Sequence, residues 1–218
     1  VNVDALLVAS FAADSGRARF VLDLGAGVGG VMLSLHHFGV VVRGACLEKD
    51  RALVSLCADN LRENRVAAEA REVDLTKGLP ADLERSAELV VANPPFFEPG
   101  ERRPAERGRE PARAGSIIPF LDAATRAVEG KRGRAVFVYP AREIVRLLTK
   151  AEERGLVAKR IRLVHPKQDA PARIALVELK LAKPGGLVLE PPLYEWSAVG
   201  RRSSQLSRII SGRAGDRK

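Results

Sequence analysis

The feature that most constrains what this chain can fold into is a repeated change of hydrophobic period. Short apolar runs alternate with segments whose apolar residues recur every three or four positions. A strand buried on both faces reads as a continuous apolar run, and a crossover helix supplies the cover. The alternation therefore predicts βαβ units and an α/β fold, with a mostly parallel sheet and helices on both faces. Strands are expected over residues 19–24, 40–48, 67–74, 87–93, 133–140, 156–166 and 172–182, the last two joined by a short polar loop and antiparallel. Helices are expected over 6–13 and 116–129, and after the first strand, where Val28, Val31, Met32 and Leu35 share a face. Asp50 is placed to cap a helix with a stripe of Leu53, Leu56, Cys57 and Leu61. A further helix over 141–154 carries Ile144, Leu147, Leu148 and Ala151 and stops at Gly155.

A length of 218 residues suits one domain with a sizeable core. The net charge of +9 makes an anionic partner, nucleic acid first, the leading expectation. Two segments lie outside the periodic pattern. Residues 98–115, rich in Arg, Glu, Pro and Gly, read as a long mobile loop; residues 193–218 read as a tail whose basic residues are either a solvated end or an RNA-binding arm. Cys46 and Cys57 fall in apolar segments and read as buried thiols in a reducing, cytoplasmic setting. His36, His37 and His165 have no metal-ligand spacing, so no metal is expected. The run 6–13 follows Asp4 and is too short to span a bilayer, and since the sequence starts at Val1 an upstream segment is expected to lie outside it.

"DLGAGVGG", Asp23 to Gly30, sits between the first strand and its helix. Gly25, Ala26, Gly27 and Gly29 allow a tight turn and close approach of a ligand to the backbone, beside free N–H groups of the helix. The segment also satisfies Gly25-x-Gly27-x-x-Gly30, a dinucleotide fingerprint, which keeps an NAD-dependent enzyme open. Glu48 ends the second strand, where a carboxylate can accept both hydrogen bonds of a ribose diol, with Lys49 beside it; Asp74 and Leu75 occupy the corresponding end of the third. Asp23 discriminates between ligands. A carboxylate beside the loop repels a pyrophosphate and suits S-adenosylmethionine, which carries a sulfonium and an ammonium.

"NPPFF" follows the fourth strand. In a doubly wound sheet that strand neighbours the first, which puts Asn93 next to the cofactor's methyl group. The lone pair of an amino group conjugated to a ring is delocalised, so it needs acceptors that hold it in line. The Asn93 side-chain oxygen and the Pro94 carbonyl supply them, and Pro94 and Pro95 stiffen the turn. Phe96 or Phe97 can stack on the planar base. Arg102, Arg103 and Arg113, in the loop that follows, are candidate RNA contacts, and the loop is placed to close over a flipped base. Lys159, Arg160, Arg162 and Lys167 either extend a positive surface or protect an edge strand.

Together, "DLGAGVGG", Glu48, Asp74 and "NPPFF" resemble the class I S-adenosylmethionine-dependent methyltransferases that modify planar amino groups. "VNVDALLVASFA", "NPPFFEPG" followed by "PARAG", and "VHPKQDAPARIALVELK" resemble the bacterial tRNA adenine-N6 methyltransferases acting on the adenosine 3′ of the anticodon of a valine tRNA. The resemblance runs to about Pro192 and implies a Rossmann-like, seven-stranded sheet with an antiparallel last strand. It also implies cofactor contacts at Asp23, Gly25, Gly27, Glu48 and Asp74, and a target-base site from Asn93 to Phe96. NPPF also suits an rRNA guanine-N2 methyltransferase, and a related motif a release-factor glutamine methyltransferase. A nucleotide- or RNA-binding module without catalysis is the reading from a different class.

Overall fold

The helix expected over 6–13 begins earlier because Asn2 caps it, its side-chain oxygen accepting the Asp4 N–H at 3.2 Å. This helix, α1 (Val3–Ala13), is apolar nearly all round and buried from Leu7 to Ala13, as a helix enclosed by other elements must be. The chain continues through β1 (Ala18–Leu24), α2 (Gly30–His37), β2 (Val41–Glu48), α3 (Arg51–Glu63), β3 (Ala68–Glu72) and β4 (Leu89–Ala92). Then come α4 (Ile118–Ala127), β5 (Arg134–Pro140), α5 (Ile144–Glu152), β6 (Leu156–His165), β7 (Ile174–Leu181), β8 (Val188–Leu189), β9 (Leu193–Tyr194) and α6 (Ser204–Ile210). This computed structural model describes residues 2–94, 116–197 and 199–212; the segment 98–115 lies outside them.

One sheet holds the strands in the order β3-β2-β1-β4-β5-β7-β6-β8, with β9 also paired to β6. β1 to β5 are mutually parallel, and β7 runs antiparallel to both neighbours. The seven expected strands are present, and the two-residue β8 and β9 add to the outer side of β6. Alternate strand residues serve the two layers. Val21, Cys46 and Val91 join α1, α2 and α3 on one face; Leu22, Ala45, Val90 and Phe137 join α4 and α5 on the other.

Several expectations change in detail. Val28 is 43% exposed, because it belongs to the turn before α2 and not to the helix face. Leu56 is 51% exposed, so the buried stripe of α3 narrows to Cys57 and Leu61. The helix expected over 141–154 is a 3-10 turn, Ala141–Glu143, followed by α5. Because β8 and β9 cover β6, its cations do not guard an open edge. Arg160 stacks over the Phe11 ring at 4.0 Å and pairs with Glu190 at 3.0 Å, Arg162 lies 3.9 Å from Glu190, and Lys159 donates to the carbonyls of Lys183 and Gly185.

The described part of 193–218 packs onto the domain. Leu193, Leu206 and Ile209 are buried in the same core cluster as α1. Arg173 fastens this segment, donating to Glu195 at 2.7 Å and to Asp4 at 2.8 Å. Burial works against its charge, but the two carboxylates outweigh it and push its pKa up. Arg173→Ala leaves two buried acids facing each other, so it is expected to destabilise the fold by about 2 kcal/mol or more, read as a lower urea midpoint.

Candidate active site

The turn between β1 and α2 takes its shape from three glycines in the left-handed region, Gly25 (φ +67°), Gly27 (+56°) and Gly29 (+85°). Packing adds to that demand at two of them. A Cβ at Gly25 would lie 2.8 Å from Cε1 of Phe120, and one at Gly29 would lie 2.9 Å from Sγ of Cys57. At Gly27 it would meet nothing within 4 Å, so the crest of the turn faces open space. The turn is tied down on its other side. Gly25 and Ala26 N–H donate to the Leu47 carbonyl at 2.8 and 3.0 Å, and Asn60 Nδ2 donates to the Val28 carbonyl at 2.9 Å.

Glu48, at the end of β2, clamps this turn to the start of α3. Its Oε2 accepts Gly27 N–H at 3.0 Å, and Oε1 accepts Lys49 and Asp50 N–H at 2.8 and 3.1 Å. A carboxylate offers about four lone-pair sites, so these bonds leave roughly one on Oε2 for a ligand. The pair of diol bonds expected from sequence therefore reduces to one alongside the backbone contacts. Asp74, after β3, binds Thr76 with one oxygen, accepting its N–H at 3.0 Å and its hydroxyl at 2.7 Å. The Thr76 hydroxyl and N–H hold the Asp74 carboxyl below its usual range. Leu75 is half-buried in the 3-10 turn that follows, and Lys49 is exposed.

Asp23 lies beneath the turn with no exposed surface, and neither side-chain oxygen has a hydrogen-bond partner among the described residues. Burial pushes its pKa up to about 7; the Met32 N–H, which points toward it without meeting hydrogen-bond geometry, opposes this and the Glu48 carboxylate adds to it. In this conformation its charge reaches the cleft through the protein interior, not by contact.

β4 ends beside this assembly, with Ala92 in register with Leu24 of β1 and Phe137 of β5. Asn93 is half-buried and Pro94 buried immediately beyond it. The carboxyl ends of β1 to β4 thus place the glycine turn, Glu48, Asp74 and Asn93 along one rim, where the strand order reverses. Pro95, Phe96, Phe97, Arg102, Arg103 and Arg113 lie outside the described residues.

Residues 3–106 match the family of the methyltransferase small domain. The protein is a methyltransferase. This methyltransferase is 27% identical over 188 residues to a tRNA1(Val) (adenine(37)-N6)-methyltransferase of Trichodesmium erythraeum, covering 84% of this chain and 78% of that protein. A protein of the same name from Parabacteroides distasonis is 26% identical over 206 residues, 90% of this chain and 85% of that protein. Among solved structures, a predicted O-methyltransferase of Agrobacterium tumefaciens superposes with a TM-score of 0.75 at 21% identity, covering 98% of both chains. The 16S rRNA N2 methyltransferase of T. thermophilus, solved with AdoMet and guanosine, gives 0.59 at 21% identity over 84% of this chain and 44% of that one.

The cofactor of a methyltransferase of this fold is S-adenosylmethionine, and the residues present fit it. The open crest at Gly27 permits close approach, Glu48 keeps an acceptor, and the orphaned Asp23 carboxylate suits a cation and not a pyrophosphate. Two residues of this methyltransferase site escape sequence reading. Phe120 of α4 packs on Gly25, and Asn60 of α3 holds the Val28 carbonyl. Both read along the chain as ordinary helix positions, since nothing local marks a contact with a turn dozens of residues away.

Proposed function

We propose that this methyltransferase moves a methyl group from S-adenosylmethionine to N6 of an adenine in tRNA, at the adenosine 3′ of the anticodon. The observation that carries the chemistry is the placement of Asn93 and buried Pro94 at the end of β4, in register with the end of β1 that starts the glycine turn. The similarity to two tRNA1(Val) (adenine(37)-N6)-methyltransferases over 84% and 90% of the chain supports the choice of adenine and of tRNA. The net charge of +9 agrees with an anionic polymer as substrate in the cytoplasm.

When bound, S-adenosylmethionine supplies an electrophilic methyl group on a sulfonium. The glycine turn and Glu48 hold the adenosyl end, and the Asp23 charge favours the cationic end. Asn93 Oδ1 and the Pro94 carbonyl accept the two N–H bonds of the exocyclic amine, which steers its nitrogen lone pair toward the methyl group. Proline has no N–H to compete for these acceptors and restricts their motion. Phe96 or Phe97 stacks on the extruded base, and Arg102, Arg103 and Arg113 hold its phosphates. The amine gives up its surplus proton to solvent after transfer, so no dedicated base is needed.

The test is transfer of labelled methyl into unmodified tRNA, followed by digestion to nucleosides and identification by mass. N6-methyladenosine is the expected product. Label in N2-methylguanosine, or in a glutamine of a release factor with none in tRNA, overturns the adenine reading.

A further inference from the structure

The only tryptophan of the chain stands partly in water on a braced turn. Trp196 is 42% exposed. Its backbone N–H donates to the Pro166 carbonyl at 2.9 Å, and it bridges to Arg202 across a turn closed by Ser197 N–H to Arg201 O at 2.8 Å and Gly200 N–H to Ser197 O at 3.0 Å. Below it, the Tyr194 and His165 rings are tilted against each other at 5.6 Å, and Glu195 is buried on Arg173. The backbone that carries the indole is therefore fixed while the side chain stays partly solvated, an arrangement that favours a contact made with a partner.

Its surroundings identify the chemistry of that partner. Arg201 and Arg202 are exposed on the same turn, and Lys167 is exposed one residue after Pro166. None of the three forms an ion pair with a described residue, although Asp169 is exposed in the same loop as Lys167. Cations without an ion-pair partner among the described residues, set around a planar ring, match a polymer that alternates phosphates with stackable bases.

Topology places this surface on the substrate side. β9 runs parallel to β6, and β6 runs parallel to β4, so the turn leaves the sheet at the carboxyl edge that carries Asn93. Four strand spacings of about 4.8 Å separate β4 from β9, roughly 19 Å across the sheet. That is too far for the target base and suitable for its neighbours on the same RNA.

We propose that Trp196, Lys167, Arg201 and Arg202 form a second RNA contact, the indole stacking on an unpaired base away from the methylated one and the cations holding flanking phosphates. This rests on the RNA methyltransferase reading above. Because Trp196 is the only indole, its emission in the full chain reports the contact directly during titration with unmodified tRNA, with binding followed in parallel by filter retention. Quenching is expected. Trp196→Ala is expected to raise KM for tRNA about tenfold, the loss of one base–aromatic stack, with kcat and the Kd for S-adenosylmethionine unchanged; Trp196→Phe restores most of the loss. The double variant Arg201→Ala with Arg202→Ala is expected to reduce the slope of log Kd against log salt by about 1 to 2. If tRNA is retained and methylated but leaves the wild-type emission unchanged, and KM is unaffected in every variant, the patch is not an RNA contact while the substrate class stands. Equal loss in the Ala and Phe variants assigns Trp196 a structural role and overturns the proposal. If the wild type neither retains nor methylates RNA, this inference falls together with the RNA reading.

Discussion

Replacing Asn93 with alanine is expected to lower kcat for RNA methylation by about 10²- to 10³-fold while the Kd for S-adenosylmethionine stays within about twofold. The asymmetry follows from where the residue stands. In the proposed function the cofactor is held by the turn after β1 and by Glu48, which are braced by bonds that do not involve Asn93. Asn93 lies one residue past the register pair Leu24 and Ala92, and on the proposed reading its oxygen serves the amine to be methylated. Alanine removes that acceptor without moving Pro94, which is buried and keeps its own carbonyl in place. Asn93→Asp keeps an acceptor oxygen and is expected to retain more turnover than alanine. Single-turnover kinetics at saturating RNA, with calorimetry of cofactor binding, separate the two quantities. A parallel loss of both would assign Asn93 to the cofactor pocket or to folding instead of to the amine.

The rim is where the sequence was most legible, and for a physical reason. A strand end that must turn sharply, expose backbone and present a fixed acceptor admits few residue types, so Gly25, Gly27, Gly29, Glu48 and Asn93 stand out along the chain. The fold followed from the change of period, including the antiparallel pairing of β6 and β7 around a short polar loop. What stayed hidden depends on contacts between distant segments. The chain does not reveal that Arg160 spends its charge on Glu190 and the Phe11 ring, so a surface cation and a structural one look alike. The turn at Trp196 likewise looks like part of a solvated tail until β9 pairs with β6 and Glu195 meets Arg173. Leu56 shows the reverse case, a periodic apolar residue that the sheet does not reach.

Asp23→Asn is expected to make the protein more stable and a poorer binder of its cofactor. The carboxyl is fully buried, lacks a hydrogen-bond partner among the described residues and has its pKa raised from 3.8 to about 7, chiefly by burial. Well below pH 3.8 the folded and unfolded chains are both protonated at this residue, and it imposes no penalty. Between 3.8 and about 7 the unfolded chain ionises while the fold retains the proton, so each pH unit disfavours folding by about 1.4 kcal/mol. Above about 7 the penalty is complete, on the order of 4 kcal/mol, and asparagine avoids it. The Tm of Asp23→Asn should therefore exceed that of the wild type above neutrality, with the gain shrinking as the pH falls toward 4. Binding has the opposite dependence. An ionised Asp23 attracts a ligand bearing a sulfonium and an ammonium through the low-dielectric interior, so wild-type affinity should tighten as the pH rises through about 7. In Asp23→Asn that pH dependence should vanish, with affinity about tenfold weaker on the alkaline side. A buried charge that weakens the fold is retained when a ligand needs it, and melts paired with calorimetry across this pH range decide whether that holds here. If both forms bind S-adenosylmethionine equally at every pH, the carboxylate acts on the turn alone and the cation is recognised elsewhere.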